Sequence, residues 1–144
     1  VTLFMEFERV REFVRGPYLV PGYMYANQIP LTENEALLAG NAPLLPRTRW
    51  LNTDAGLSPG ETAGRALFAA NCGVCHAESG INGIDQRLTG RSLDGVVAMV
   101  GITQRLAPYM TPFTGSEEER LLLAQYIYGL AAAHDKARHT VGEK

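Results

Sequence analysis

Two thiols and an imidazole stand within five residues, Cys72-Gly73-Val74-Cys75-His76, and these are the only two cysteines in a chain of 144 residues. Three chemistries use such a pattern. A Cys-x-x-Cys dithiol exchanges disulfides, normally from the start of a helix inside a thioredoxin-like α/β unit. Here the pattern falls at the end of a predicted helix, with no βαβ surroundings. A zinc site needs third and fourth ligands at matching spacing, and the other histidines, His134 and His139, lie near the C-terminus. Covalent haem attachment needs one thiol for each of two vinyl groups and an imidazole placed to bind the iron from below. The spacing satisfies all three demands at once, and it makes His76 the proximal ligand.

A haem held in this way needs a sixth ligand from far along the chain, on a loop that closes over the opposite face. Met110 fits best, in the proline-braced stretch Ala107-Pro108-Tyr109-Met110-Thr111-Pro112-Phe113 directly before the last predicted helix. Thioether sulfur is a soft ligand that favours ferrous iron, so a His/Met pair raises the reduction potential relative to bis-histidine ligation. Methionine also fills cores without further purpose. Met99 lies in mid-helix on an apolar stripe and is expected to pack beside the haem, while Met5 and Met24 belong to the N-terminal segment. Arg87, Arg91 and Arg105, with Trp50 and Tyr109, are candidates to hydrogen-bond the propionates, and one or two of them are expected to reach.

These residues need a scaffold, and no alternating strand pattern appears, so the expected fold class is all-α. Ser58-Pro59-Gly60-Glu61 is a helix start: the serine accepts from the backbone, proline takes the first helical position and the glutamate reaches back. Gly64, Leu67 and Phe68 then share one face, and the helix runs into Cys72. A second helix is expected after Ser92, through Val96, Val97, Met99 and Val100. The last begins at Ser116, where Ser-Glu-Glu-Glu forms another capping box, and continues to about Ala133. Its inner stripe is Leu122, Leu123, Tyr126, Ile127 and Leu130, with acidic residues in the first turn, where the helix dipole prefers them.

Ahead of the haem domain at 57–144 stands an extension, 1–56, of different character. Leu3, Phe7, Val10 and Val14 recur at steps of four and three, a helical stripe with charged residues on the other faces. The favoured expectation is a helix packed on its own domain, ahead of a docking helix or the stub of a removed membrane anchor. Gly16-Pro17 ends it. Residues 17–56 are punctuated by Pro17, Pro21, Pro30, Pro43 and Pro46, with one short helix expected at 33–38, Thr32 as its N-cap and Glu35 at its third position. Tyr18, Leu19, Val20, Tyr23, Met24, Tyr25, Leu44, Leu45 and Trp50 make this segment too apolar for a flexible linker. It is expected to wrap the haem domain.

Residues 58–130 resemble the class I c-type cytochromes, monohaem proteins with His/Met ligation. The matching pieces are Gly64 with Leu67-Phe68 before Cys72-Gly73-Val74-Cys75-His76, then Met110-Thr111-Pro112-Phe113, then Leu123-Ala124-Gln125-Tyr126-Ile127. The resemblance implies three to five helices around one haem c, attached through Cys72 and Cys75. It also implies a first and last helix that cross, bringing Gly64 and Phe68 near Tyr126. Attachment outside the cytoplasm and electron exchange at the exposed haem edge follow from the same resemblance. Two features depart from it. Many members have a proline-containing loop after the histidine whose carbonyl receives the imidazole N–H, and 80–90 contains no proline. Some other carbonyl is expected to fix His76. The extension at 1–56 is absent from the minimal family domain.

Thirteen basic and fifteen acidic residues give a net charge of −2, which favours neither nucleic acid nor an anionic membrane surface as partner. No run of eighteen apolar residues exists to span a bilayer. The chain begins at Val1 rather than Met, as expected where a signal or anchor has been removed, and the expected location is periplasmic or otherwise extracytoplasmic in a bacterium. The expected function is a one-electron carrier in a respiratory or extracytoplasmic chain, not an enzyme. Redox proteins are its expected partners, with tethering or docking on a membrane complex and a monomeric or weakly dimeric state. The alternative is a haem peroxidase or diatomic-gas sensor with a labile sixth ligand.

Overall fold

Two helices that cross at a glycine organise the domain. The computed structural model describes residues 2–15, 29–40, 42–47, 58–107 and 110–142, and among these the elements are α-helices, one 3-10 turn at Leu45–Arg47 and an isolated bridge between Ala77 and Gly83. They run α1 (Thr2–Arg15), α2 (Leu31–Leu38), α3 (Pro59–Asn71), α4 (Ile84–Arg87), α5 (Leu93–Val100), α6 (Thr103–Leu106) and α7 (Glu117–Gly142). α3 begins as expected: Ser58 Oγ accepts from the Glu61 N–H, and the Glu61 carboxylate accepts from the Ser58 N–H at 3.0 Å. α5 is capped by Ser92, whose Oγ accepts from the Gly95 N–H at 3.2 Å.

A Cβ on Gly64 would lie 2.5 Å from Tyr126 Cβ and 2.7 Å from the Leu122 carbonyl oxygen, so α3 and α7 pack almost backbone to backbone. The Phe68 and Tyr126 rings flank the crossing, tilted at 53° with centroids 6.1 Å apart. Around this contact Leu67, Phe68, Val96, Val100, Leu123, Ala124 and Ile127 form a buried cluster. Of the stripe expected on α7, Leu123 and Ile127 are buried, while Leu122, Tyr126 and Leu130 are half-buried.

Several expectations change. α7 does not end near Ala133 but runs to Gly142: it passes through Gly129, and neither glycine nor proline follows until Gly142. The Asp135 carboxylate on the added turns accepts the Gly90 N–H at 3.1 Å. α2 starts two residues earlier than expected, and Thr32 lies inside its first turn. The N-cap is Pro30, whose carbonyl accepts from Glu33 at 3.0 Å. Proline has no N–H to satisfy and an extended backbone here, so it begins the helix without a side-chain cap. The single-turn helices α4 and α6 are too short for periodicity to reveal.

The extension divides in two. Ile29, Leu37 and Leu44 belong to the same buried cluster as Leu67 and Leu123, so the core crosses the 56/57 boundary. Of the apolar residues expected to wrap, Leu44 is buried and Leu45 half-buried; Tyr18, Leu19, Val20, Tyr23, Met24, Tyr25 and Trp50 lie outside the described residues. α1 behaves otherwise. Leu3, Phe7 and Val10 are 86%, 63% and 55% exposed, so the expected packing of this stripe on its own domain is not what the structure shows. An apolar stripe shows that one face is amphipathic; it does not supply a partner face. No helix among the described residues is long and apolar enough to cross a membrane.

Gly64→Ala is expected to destabilise the domain by about 2–3 kcal/mol, because a methyl group cannot be accommodated against a backbone carbonyl without moving α7. Denaturant unfolding of the variant beside the parent measures it.

Candidate functional site

α3 ends where the cysteine motif begins. Cys72 is its C-cap, and the next residues turn back on it: Cys75 and His76 both donate their N–H to the Cys72 carbonyl, at 3.0 and 2.8 Å. The turn brings Cys72, Cys75 and His76 to the wall of one cavity of about 330 Å³, within the size range of ligand pockets. The lining also takes in Met110, Thr111 and Phe113, from the segment ahead of α7. α5 contributes Val96, Met99 and Val100, and α7 contributes Leu123 and Ile127. Met110 and Met99 therefore face the same space as the cysteine motif. Met5 is exposed on α1, and Met24 lies outside the described residues.

The Met110 segment is tied down at its start. The Met110 N–H donates to the Ala107 carbonyl at 3.0 Å, and Thr103 Oγ1 donates to the Thr111 carbonyl at 2.7 Å. Of the expected propionate partners, Arg87 lines the cavity. Arg91 and Arg105 do not: both are exposed, Arg91 in the turn after α4 and Arg105 on the outward side of α6. Trp50 and Tyr109 lie outside the described residues.

The proline-free loop after His76 is organised by Asn82, which the sequence reading missed. Its carbonyl accepts the Ala77 N–H at 3.2 Å, its side-chain amide donates to the Cys75 carbonyl, and its side-chain oxygen accepts from Arg87 at 2.6 Å. The same carbonyl draws on the His76 imidazole without closing a hydrogen bond to Nδ1, which is buried and has no partner. Burial, and after it the Arg87 guanidinium, holds His76 below the ordinary imidazole range, with the Asn82 backbone pulling the other way. Asparagine between Ile81 and Gly83 in a glycine-flanked turn was the available signal, since its short side chain bonds readily to nearby backbone.

Glu78 is the second missed residue. Its Oε1 accepts from Arg65 Nε at 3.1 Å and from the Tyr126 hydroxyl at 2.7 Å, tying the strand of chain after His76 to both α3 and α7. Burial first, and then the hydrogen bond to Glu78, raises the Tyr126 phenol well above its ordinary range.

The geometry also weighs the other two chemistries. A reactive dithiol needs a depressed thiol, commonly at a helix N-terminus. Cys72 caps a helix C-terminus, and burial, with Cys75 adding to it, pushes its thiol up to about 12. For zinc, no group of three or more His, Cys, Asp or Glu side chains is placed to hold a metal ion among the described residues.

Residues 59–127 match the family described as "Cytochrome C oxidase, cbb3-type, subunit III". This stretch is a cytochrome c domain. No curated protein and no solved structure matches the chain. The cytochrome c family carries haem c and transfers electrons, and the all-α arrangement accords with its class I fold. The residues present suit that group: a mostly apolar cavity lined by two thiols, an imidazole and the thioethers of Met99 and Met110. The family match begins at Pro59, so α1, α2 and the Leu45–Arg47 turn lie outside it.

Tyr126 supplies a pH dependence for the cytochrome domain. Its folded-state pKa lies above the unfolded value, so the stability it contributes is complete below pH ~10 and falls as pH rises toward the folded-state value. Stability of the parent is expected to drop more steeply above pH ~10 than that of Tyr126→Phe, as denaturant melts across the alkaline range would show.

Proposed function

We propose that the protein is a monohaem one-electron carrier, with one haem c joined to Cys72 and Cys75 and ligated by His76 and Met110. The observation that carries this reading is a single cavity lined by both the cysteine motif and Met110. When bound, the haem supplies an iron that gains and loses a single electron. Everything else falls to the chain. Cys72 and Cys75 hold the group in place, so that electron exchange never depends on its retention by packing alone. His76, with Asn82 beside it and Glu78 two residues on, presents the imidazole from a braced turn. The Met110 thioether would hold the group from the segment ahead of α7 and leave a substrate no free place on it, which argues for a carrier over a peroxidase or gas sensor. Val96, Val100, Leu123 and Ile127 exclude water, and Arg87 offers the cavity a cationic donor for a propionate.

The family's description names a subunit of a terminal oxidase. It supports a place for this domain in a respiratory chain, with partner redox proteins docking where the cavity opens and a location outside the cytoplasm. Cys75, exposed while Cys72 is half-buried, marks the open side of the attachment turn.

A redox titration followed by ultraviolet–visible spectroscopy tests the carrier reading. A one-electron transition is expected, with the far-red band of methionine sulfur on ferric iron and little binding of carbon monoxide by the ferrous protein at neutral pH. Ready carbon monoxide binding would refute it. Met110→His is expected to abolish that band and lower the potential by a substantial fraction of the roughly 0.8 V that axial ligation spans. The paired change Cys72→Ser with Cys75→Ser is expected to yield a protein whose haem extracts into acidified organic solvent, whereas the parent keeps its haem.

A further inference from the structure

Glu119 lies in the first turn of α7 and is only 4% exposed. A capping box asks little of such a residue: a carboxylate reaching back to the Ser116 N–H, here at 2.9 Å, while Ser116 Oγ accepts from the Glu119 N–H at 3.2 Å. This one does more. Oε2 also accepts the Leu44 N–H and Oε1 the Leu45 N–H, both at 2.8 Å. One buried carboxylate thus collects three backbone donors from two segments about 75 residues apart.

The groups meet over Gly115. A Cβ there would lie 2.6 Å from Glu119 Oε2, 3.2 Å from Phe113 Cζ and 3.3 Å from Leu44 Cβ, and the backbone sits at φ +141, which L side chains rarely adopt. The Gly115 N–H donates to the Leu37 carbonyl at 3.1 Å. Phe113 belongs to the cavity wall that also holds Met110 and Thr111. That wall is tied at its start by Thr103, from inside the family domain. At its end it is tied by residues 37–45, from outside the stretch that matches the family.

We propose that Glu119 is a positioning residue for the distal wall, through which the segment 29–47 holds Met110 against the haem. The inference rests on the reading of Met110 as sixth ligand. It gives the extension a task at the metal: without the tie, the end of the Met110 segment is free to move outward and the thioether yields to an exogenous ligand. Glutamine at position 119 keeps the size of the side chain but sets an N–H₂ donor against N–H donors, so at least one of the three bonds is lost.

The test uses the haem-loaded full chain and imidazole as the probe ligand. Glu119→Gln is expected to weaken the far-red methionine–iron band and raise the affinity of the ferric protein for imidazole about tenfold or more, the usual scale for loss of an outer-sphere support. Leu44→Ala, which keeps all three bonds but removes packing at the same junction, is expected to move both readouts less in the same direction. Ser58→Ala removes the cap of α3 far from the loop; it is expected to lower stability while leaving band and imidazole affinity as in the parent. If Glu119→Gln only loses stability, as the Ser58 variant does, the positioning role is wrong while the ligand reading stands. If the parent itself lacks the far-red band, the ligand reading fails and takes this role with it.

Discussion

At Gly64 the backbone of α3 comes so close to α7 that a methyl group has no room, and the rest of the domain depends on that approach. α3 delivers the cysteine motif at its C-terminal end, and α7 is preceded by the segment that carries Met110. Neither helix alone has a cavity to offer. Their separation decides whether thiols, imidazole and thioether face a common space or two different ones. The tilted Phe68 and Tyr126 rings keep the crossing from sliding, and the Glu78–Tyr126 bond extends the same junction to the turn after His76.

Much of this was legible. The cysteine motif, the serine cap of α3, the start of α5 after Ser92 and the α7 capping box follow from short-range patterns, while the meeting of Gly64, Phe68 and Tyr126 was implied by the family resemblance alone. What escaped was what depends on tertiary partners. Nothing local to Glu119 distinguishes a surface cap from a buried hub; its extra donors come from Leu44 and Leu45. Asn82 and Glu78 escaped for a related reason, since each acts through backbone or side chains that only the folded loop brings near. Arg91 and Arg105 were plausible by charge alone, and charge does not state which side of a turn faces a cavity.

The extension shows both outcomes of an apolar sequence. Ile29, Leu37 and Leu44 enter the core and extend it beyond the stretch that the family match covers. Leu3, Phe7 and Val10 of α1 stay in the open, with Glu6–Arg9 and Glu8–Arg11 pairs along the helix. Such exposed pairs contribute little stability, so the helix gains little from its own surface.

The junction at Glu119 also bears on the order in which the chain can assemble. It joins early residues to late ones, and the entropy of closing so long a loop must be met before its hydrogen bonds return anything. The extension can emerge first and still be among the last parts to settle, because its anchor is not present until α7 has begun. The cysteines stand between these two ends. Until the junction closes, the segment that carries Met110 lacks one of its ties. A junction shared by the early and late parts of the chain is, by its reach, among the last contacts to form.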